Sequence, residues 1–316
     1  MSSLLSRSAS RRALRSVGVG AALAITPLLT ACPPTGGPPA TVDQNYMSCS
    51  GPDAEYIYRF TPEQRLDVFK HIAGDARGTI VFVHGGGFSG GDKRGNPVPD
   101  CPSAAYANIH MGPLLKQREN GWDIVTINYR LVTGDAATKF PGALIDTIEA
   151  VKWVQGLGGQ LAGVNASRVI VAGHSAGGTI AALMGAYSGT QGALPGVDFP
   201  SVNGWIAISA PLDYNEGNAK ANIDAWVAGN PFGYTTAQAN PMVQYNRPGR
   251  PAGYLIHANN DLTIPVVNAQ NMANAYGIPL DNVGDVSYPS PDWSWATHWP
   301  MSQANYPNLL NWLAAR

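Results

Sequence analysis

The chain has 316 residues, 45% hydrophobic and 13% charged, with a formal net charge of −1. This length and balance are enough to bury a sizeable core and exclude a disordered or low-complexity chain. Arg7, Arg11, Arg12 and Arg15 all fall within residues 1–31, which carry no acid, so the remainder is the more acidic part and offers no basic footing for nucleic acid.

Ser10-Arg-Arg-Ala-Leu-Arg15 is a basic opening, and residues 17–29 form an apolar run too short to cross a bilayer as an ordinary helix. Residues 1–31 are expected to be an export signal, by the general or the twin-arginine route. Leu29-Thr-Ala-Cys32 has the form of a bacterial lipobox, which makes Cys32 the lipidated first residue of the mature chain and the membrane its partner. Residues 32–50, with repeated Pro and Gly, read as a tether without a core. Cys49 and Cys101 then remain, and in an oxidising compartment they are expected to pair as a disulfide. No Cys or His pair has the spacing of metal ligands, so neither metal nor other cofactor is expected.

From residue 51 a single domain is expected. Residues 56–60 and 65–69 alternate apolar and polar side chains around Thr61-Pro62, the pattern of an edge hairpin. Gly78-Thr-Ile-Val-Phe-Val-His84 is apolar throughout, as in a strand buried on both faces, and it runs into Gly85-Gly-Gly-Phe88. Three glycines there leave backbone N–H groups open to a bound molecule. A helix is predicted over 104–119, a strand over 123–130, and a helix over 141–155 with Pro141 in its first turn.

Arg168-Val-Ile-Val-Ala-Gly-His-Ser-Ala-Gly-Gly178 is a short strand broken by glycines and resumed as a helix. This spacing is that of a nucleophile elbow, which exposes the hydroxyl of Ser175 on a strained turn. Further strands are predicted at 205–209, 254–257 and 285–288, with helices over 266–276 and from 303. The stretch between 209 and 254 reads as irregular.

The ordered blocks His84-Gly-Gly-Gly-Phe88, Asn128-Tyr-Arg-Leu131, Phe140-Pro-Gly-Ala-Leu-Ile-Asp146 and Gly173-His-Ser-Ala-Gly-Gly178 resemble the α/β-hydrolase superfamily. Within it they are similar to the hormone-sensitive-lipase-like and feruloyl-esterase-like carboxylesterases. The resemblance implies an α/β-hydrolase fold, a mostly parallel sheet with helices on both faces, and a carboxylic ester, free or polymer-borne, as substrate. It also implies a chain order of Ser, acid, His. His298 falls where that family carries its base, and Asp261 in His257-Ala-Asn-Asn-Asp261 follows its His-Gly-x-x-Asp pattern with Ala258 in place of Gly. Asp213 is the alternative acid. The expected oxyanion donors are the amides of Ala176 and Gly86, with Gly87 or Gly85 as a third. His174 is read as scaffold pointing away from the site, and Asn128-Tyr-Arg130 as a brace for the glycine loop.

Trp226, Trp295 and Trp299, with Phe232, Tyr234 and Trp293 near them in sequence, are expected to line a substrate pocket. The fold also hosts serine peptidases and catalytically silent binding modules. Peptidases usually need an added propeller or cap, and a complete set of Ser175, Asp261, His298 and glycine loop speaks for chemistry.

Overall fold

Alternation of side chains along buried strands decides the layering. A computed structural model describes residues 51–94, 112–285, 298, 300 and 307–316. The export signal, the tether, Cys32, Cys49, Cys101, Trp295 and Trp299 lie outside the described residues.

In chain order the elements are β1 (Ala54–Ile57), β2 (Arg65–Phe69), β3 (Gly78–Val83), α1 (Gly112–Leu115), β4 (Trp122–Ile127), α2 (Gly142–Gln155), α3 (Leu157–Ala162), β5 (Val169–His174) and α4 (Ala176–Ala186). A small hairpin follows, β6 (Gln191–Leu194) with β7 (Val197–Asp198), and then β8 (Gly204–Ile208), α5 (Gly217–Val227), α6 (Pro241–Gln244), β9 (Ala252–His257), α7 (Val267–Tyr276), β10 (Leu280–Asn282) and α8 (Pro307–Ala314).

Eight strands form one sheet in the order β1-β2-β4-β3-β5-β8-β9-β10. From β4 to β10 every pairing is parallel; β1 and β2 add an antiparallel edge. β3, β4, β5 and β8 are buried at every residue. On one face Val81, Val83, Val169 and Val171 pack with residues of α2 and α4 such as Leu144, Val151, Ile180 and Leu183. On the other face Ile80, Phe82, Ile170 and Ile206 pack with Leu114 of α1 and with Leu309, Trp312 and Leu313 of α8. A third cluster joins Trp205 and Leu255 to Ala269 and Met272 of α7. This two-sided burial is what a parallel sheet between helical layers requires.

Two predicted elements differ, and one strand is added. The stretch read as irregular contains α5 and α6; from Ala219 to Ala225 the residues of α5 alternate apolar with polar, which masks its helical period. β10 at Leu280–Asn282 is a strand the sequence pattern does not predict: its polar residues are tolerated at the sheet edge, where Tyr254 donates a 2.6 Å hydrogen bond to Asp281; residues 286–288 of the strand predicted at 285–288 lie outside the described residues. β1 begins and ends earlier than the 56–60 arm. The described part of the 104–119 helix is α1 and a 3-10 turn over Lys116–Asn120. The terminal helix begins at Pro307 among the described residues.

Candidate active site

The C-terminal ends of β3, β5 and β9 carry the candidate residues to one rim of the sheet. Ser175 sits between β5 and α4 with φ 53° and ψ −122°, a conformation an L side chain rarely adopts. Its amide donates to the carbonyl of Ile208 at the end of β8 (2.8 Å), and its own carbonyl accepts from Thr179. The elbow is held by close packing: a Cβ on Gly177 would lie 2.1 Å from the Val83 carbonyl oxygen, so only glycine lets α4 cross β3 here. Ala176 opens α4, where the first amides of a helix have no partner of their own.

The glycine loop lies against the elbow. A Cβ on Gly85 would stand 2.8 Å from His174 Nδ1 and 3.1 Å from Ser175 Cβ. Gly86 and Gly87, both exposed, take positive φ angles of 113° and 58°. Phe88 also has positive φ, at 64°, and is fixed by burial: its ring stacks on Trp226 at 4.1 Å, and Val132 donates to its carbonyl. Trp226 therefore does not offer a face to a ligand, contrary to the expectation. It is 1% exposed, wedged between Phe88 and the edge of Phe140, because the apolar ring of the loop needs a flat partner inside the core.

The brace expected of residues 128–130 divides. Tyr129 donates its hydroxyl to the His84 carbonyl (3.0 Å) and stacks on the His84 ring at 4.3 Å. The Asn128 side chain donates to Asp92 and accepts from the Lys93 amide. Arg130 turns elsewhere, forking onto Asp146 of α2 at 2.9 Å. Beyond the loop, buried Lys93 reaches Asp67 at 2.9 Å and Glu55 at 3.0 Å, tying this segment to β1 and β2.

Asp261 follows β9 and meets His298. His298 Nδ1 lies 2.8 Å from Asp261 Oδ2, and His298 is 7% exposed. Since a carboxylate only accepts, Nδ1 carries the proton of this bond; Nε2 is buried and has no hydrogen-bond partner among the described residues. Asp261 Oδ1 accepts from the amides of Thr263 and Ile264, both at 2.9 Å. A second imidazole stands behind it: His257 Nε2 is 3.3 Å from Asp261 Oδ2 and 2.8 Å from the Ile264 carbonyl, which makes it a donor. Burial alone would raise the Asp261 carboxyl. The hydrogen bonds from His257 and His298, the charge His298 can carry and the Ile264 amide outweigh it and hold the group well below the usual carboxylate range. Asp213, the alternative acid, accepts instead from Asn215 and from Asn271.

His174 does not point away. Its Nε2 lies 2.8 Å from the backbone carbonyl of His298, and the two rings meet edge to face at 4.6 Å. Sequence reasoning passed over it because neighbours of a nucleophile usually face away; the buried polar side chain at the end of a strand was the available signal. His257 was likewise passed over as a residue inside a strand.

A family model described as BD-FAE matches residues 66–276, a span that holds the glycine loop, the elbow and Asp261. The chain belongs to the BD-FAE family. Over 118 residues it is 33% identical to Esterase LipI of Mycobacterium tuberculosis, a match covering 37% of this chain and 31% of that protein. Among solved structures it resembles a truncated carbohydrate esterase from gut microbiota, with a TM-score of 0.63, 16% identity, and coverage of 84% of this chain and 99% of that one. Esterase B of Lactobacillus rhamnosis gives a TM-score of 0.62 and 18% identity over 83% of this chain and 84% of that one. Apo Thermogutta terrifontis esterase 2 gives 0.59 and 18% over 83% and 93%. At these identities the structural likeness is one of fold, and the fold of this BD-FAE chain is that of the α/β hydrolases.

The glycine loop carries a built-in pH response. Burial lowers the His84 ring from 6.5 to about 4, against a small upward pull from the Gly85 carbonyl and Asp92. Between those values the unfolded chain binds a proton that the folded chain refuses, so stability falls as pH drops from about 6.5 and levels off below about 4. The full change is expected to be about 3 kcal/mol, read as the urea midpoint against pH. In His84→Asn the share of the slope that His84 supplies disappears; an unchanged slope contradicts the assignment.

Proposed function

We propose that this BD-FAE protein hydrolyses carboxylic esters through an acyl-enzyme on Ser175. The observation that carries the reading is the His298 imidazole, bound to Asp261 through Nδ1, with no partner on Nε2 among the described residues, and in contact with His174, the residue before Ser175 on the elbow. In the proposed cycle His298 Nε2 takes the Ser175 hydroxyl proton as Oγ bonds to the ester carbonyl carbon. The carbonyl oxygen becomes an oxyanion held by the amides of Ala176 and Gly86, with Gly87 or Gly85 beside them. The C–O bond to the alcohol breaks, and the proton passes from His298 to the leaving oxygen. Water then repeats the attack on the acyl-enzyme, its proton going to His298 and on to Ser175 as the acid departs. Asp261, ionised throughout, orients the ring and balances its charge. The match to Esterase LipI and the family membership support the ester class.

Ser175→Ala is expected to lower p-nitrophenyl acetate turnover by at least about 10⁴-fold and to abolish fluorophosphonate labelling, with circular dichroism unchanged. Turnover retained in that variant refutes the nucleophile.

His174 serves the same chemistry as a positioning residue, through the His298 carbonyl. His174→Leu is expected to lower kcat/KM by about 10²-fold, the scale of a misplacement near 1 Å, chiefly in kcat. In His174→Gln the amide N–H reaches a similar position and restores much of the rate. Equal activity in Leu and Gln variants rules the role out.

We further propose that the mature protein is an exported lipoprotein held at the cell envelope through Cys32, a reading supported by the basic opening, the apolar run and the lipobox. Cys32→Ala is expected to move the protein from the detergent phase to the aqueous phase in Triton X-114 partition; wild-type protein found in the aqueous phase overturns it.

A further inference from the structure

β9 begins at Ala252 and leads, after its last residue His257, to Asp261, so its two ends lie on opposite rims of the sheet, about 17 Å apart at the rise of a strand. Around the first of these ends is a cavity of about 590 Å³, within the range of small-molecule sites. Its walls come from the segment entering β9, the turn between α7 and β10, and the end of α8. Arg247, Arg250 and Arg316 all line it. No Asp or Glu side chain lines it among the described residues.

The guanidinium groups are set in place by aromatic rings. Arg250 lies over Tyr245 at 4.3 Å and Tyr276 at 5.0 Å, Arg316 over Trp312 at 4.9 Å, and Arg247 over Tyr187 at 4.9 Å. Their protein partners are neutral: Arg250 donates to the Arg247 carbonyl and Arg247 to the Gln244 side chain. None of the three forms an ion pair among the described residues. Two further donors of the lining, Arg316 Nε and Trp312 Nε1, are buried and have no acceptor among the described residues. The lining tyrosines spend their hydroxyls on backbone carbonyls, Tyr245 on Pro251 and Tyr276 on Met242.

We propose that this cavity is a second, non-catalytic site that binds the oxyanion group of a small organic molecule, a carboxylate or a phosphate. Half-buried guanidiniums stacked on aromatic rings have already given up much of their rotamer freedom, and their planar forks match either oxyanion through paired hydrogen bonds. The bound group supplies the acceptors that the protein does not.

The test is isothermal titration of the full-length protein with sodium phosphate and, separately, with sodium glucuronate, at ionic strength held constant with sodium chloride. At least one is expected to saturate with a Kd near or below 1 mM, and the stronger of the two identifies the oxyanion. Arg250→Gln and Arg247→Gln are each expected to weaken binding by tenfold or more while p-nitrophenyl acetate turnover and circular dichroism stay as in the wild type. Arg247 is the independent check should loss of the Arg250 stack disturb folding. Saturation by neither anion below 10 mM overturns the proposal, and so does binding that both folded variants retain.

Discussion

The strained backbone of Ser175 is the constraint around which the rest is arranged. A non-glycine residue at φ 53° and ψ −122° costs about 1–3 kcal/mol and persists only where its surroundings leave no alternative. Here they leave none. The amide before the turn is tied to β8, the carbonyl opens α4, and α4 is buried at every position from Ala176 to Ala186. Relaxing the turn means moving a helix that packs on both β5 and β8. The same lack of side-chain bulk that lets α4 approach β3 leaves its first amides beside the glycine loop.

A series of contacts also runs from the brace of the glycine loop to the carboxylate after β9. Tyr129 fixes His84, the next residue Gly85 lies against His174, His174 holds the His298 carbonyl, His298 is bound to Asp261, and Asp261 is bracketed by His257 and the Ile264 amide. Each link is short and most are buried, so a low local dielectric strengthens every hydrogen bond in the series. The arrangement also sorts charge. Asp261 is ringed by four donors and is kept ionised, while His84, stripped of solvent, is kept neutral next to the loop whose amides must face a developing negative charge.

What the sequence made legible follows from what physics writes locally. β2, β3 and β5 are found where alternation or unbroken apolar runs place them, because burial on one face or two leaves a pattern in the chain itself. The elbow is legible because its glycines answer a local steric demand. α5 is not, since its apolar and polar residues alternate from Ala219 to Ala225 and its one large ring, Trp226, is spent on a partner far away in sequence, Phe88. The misreading of Trp226 has the same origin: aromatic residues clustered in sequence looked like a lining, whereas stacking across elements made this one part of the core. β10, three residues long and polar, owes its strand form to the register offered by β9. His174 and His257 were out of reach for a related reason, as their partners are a backbone carbonyl of residue 298 and a carboxylate whose position only the folded sheet defines.

β9 shows how one strand serves two opposite electrostatic tasks. Its interior residues Tyr254, Leu255 and Ile256 are buried and apolar, and they separate its ends by a low-dielectric span. At the far end a buried carboxylate is satisfied entirely by donors of the protein. At the near end guanidiniums and an indole N–H line one cavity, with no side-chain carboxylate to answer them among the described residues. Stacking on Tyr245, Tyr276 and Trp312 stabilises the Arg250 and Arg316 cations before any anion arrives. One strand thus carries at one end a carboxylate, Asp261, whose charge the protein answers itself, and at the other a set of cations that the proposed oxyanion would answer.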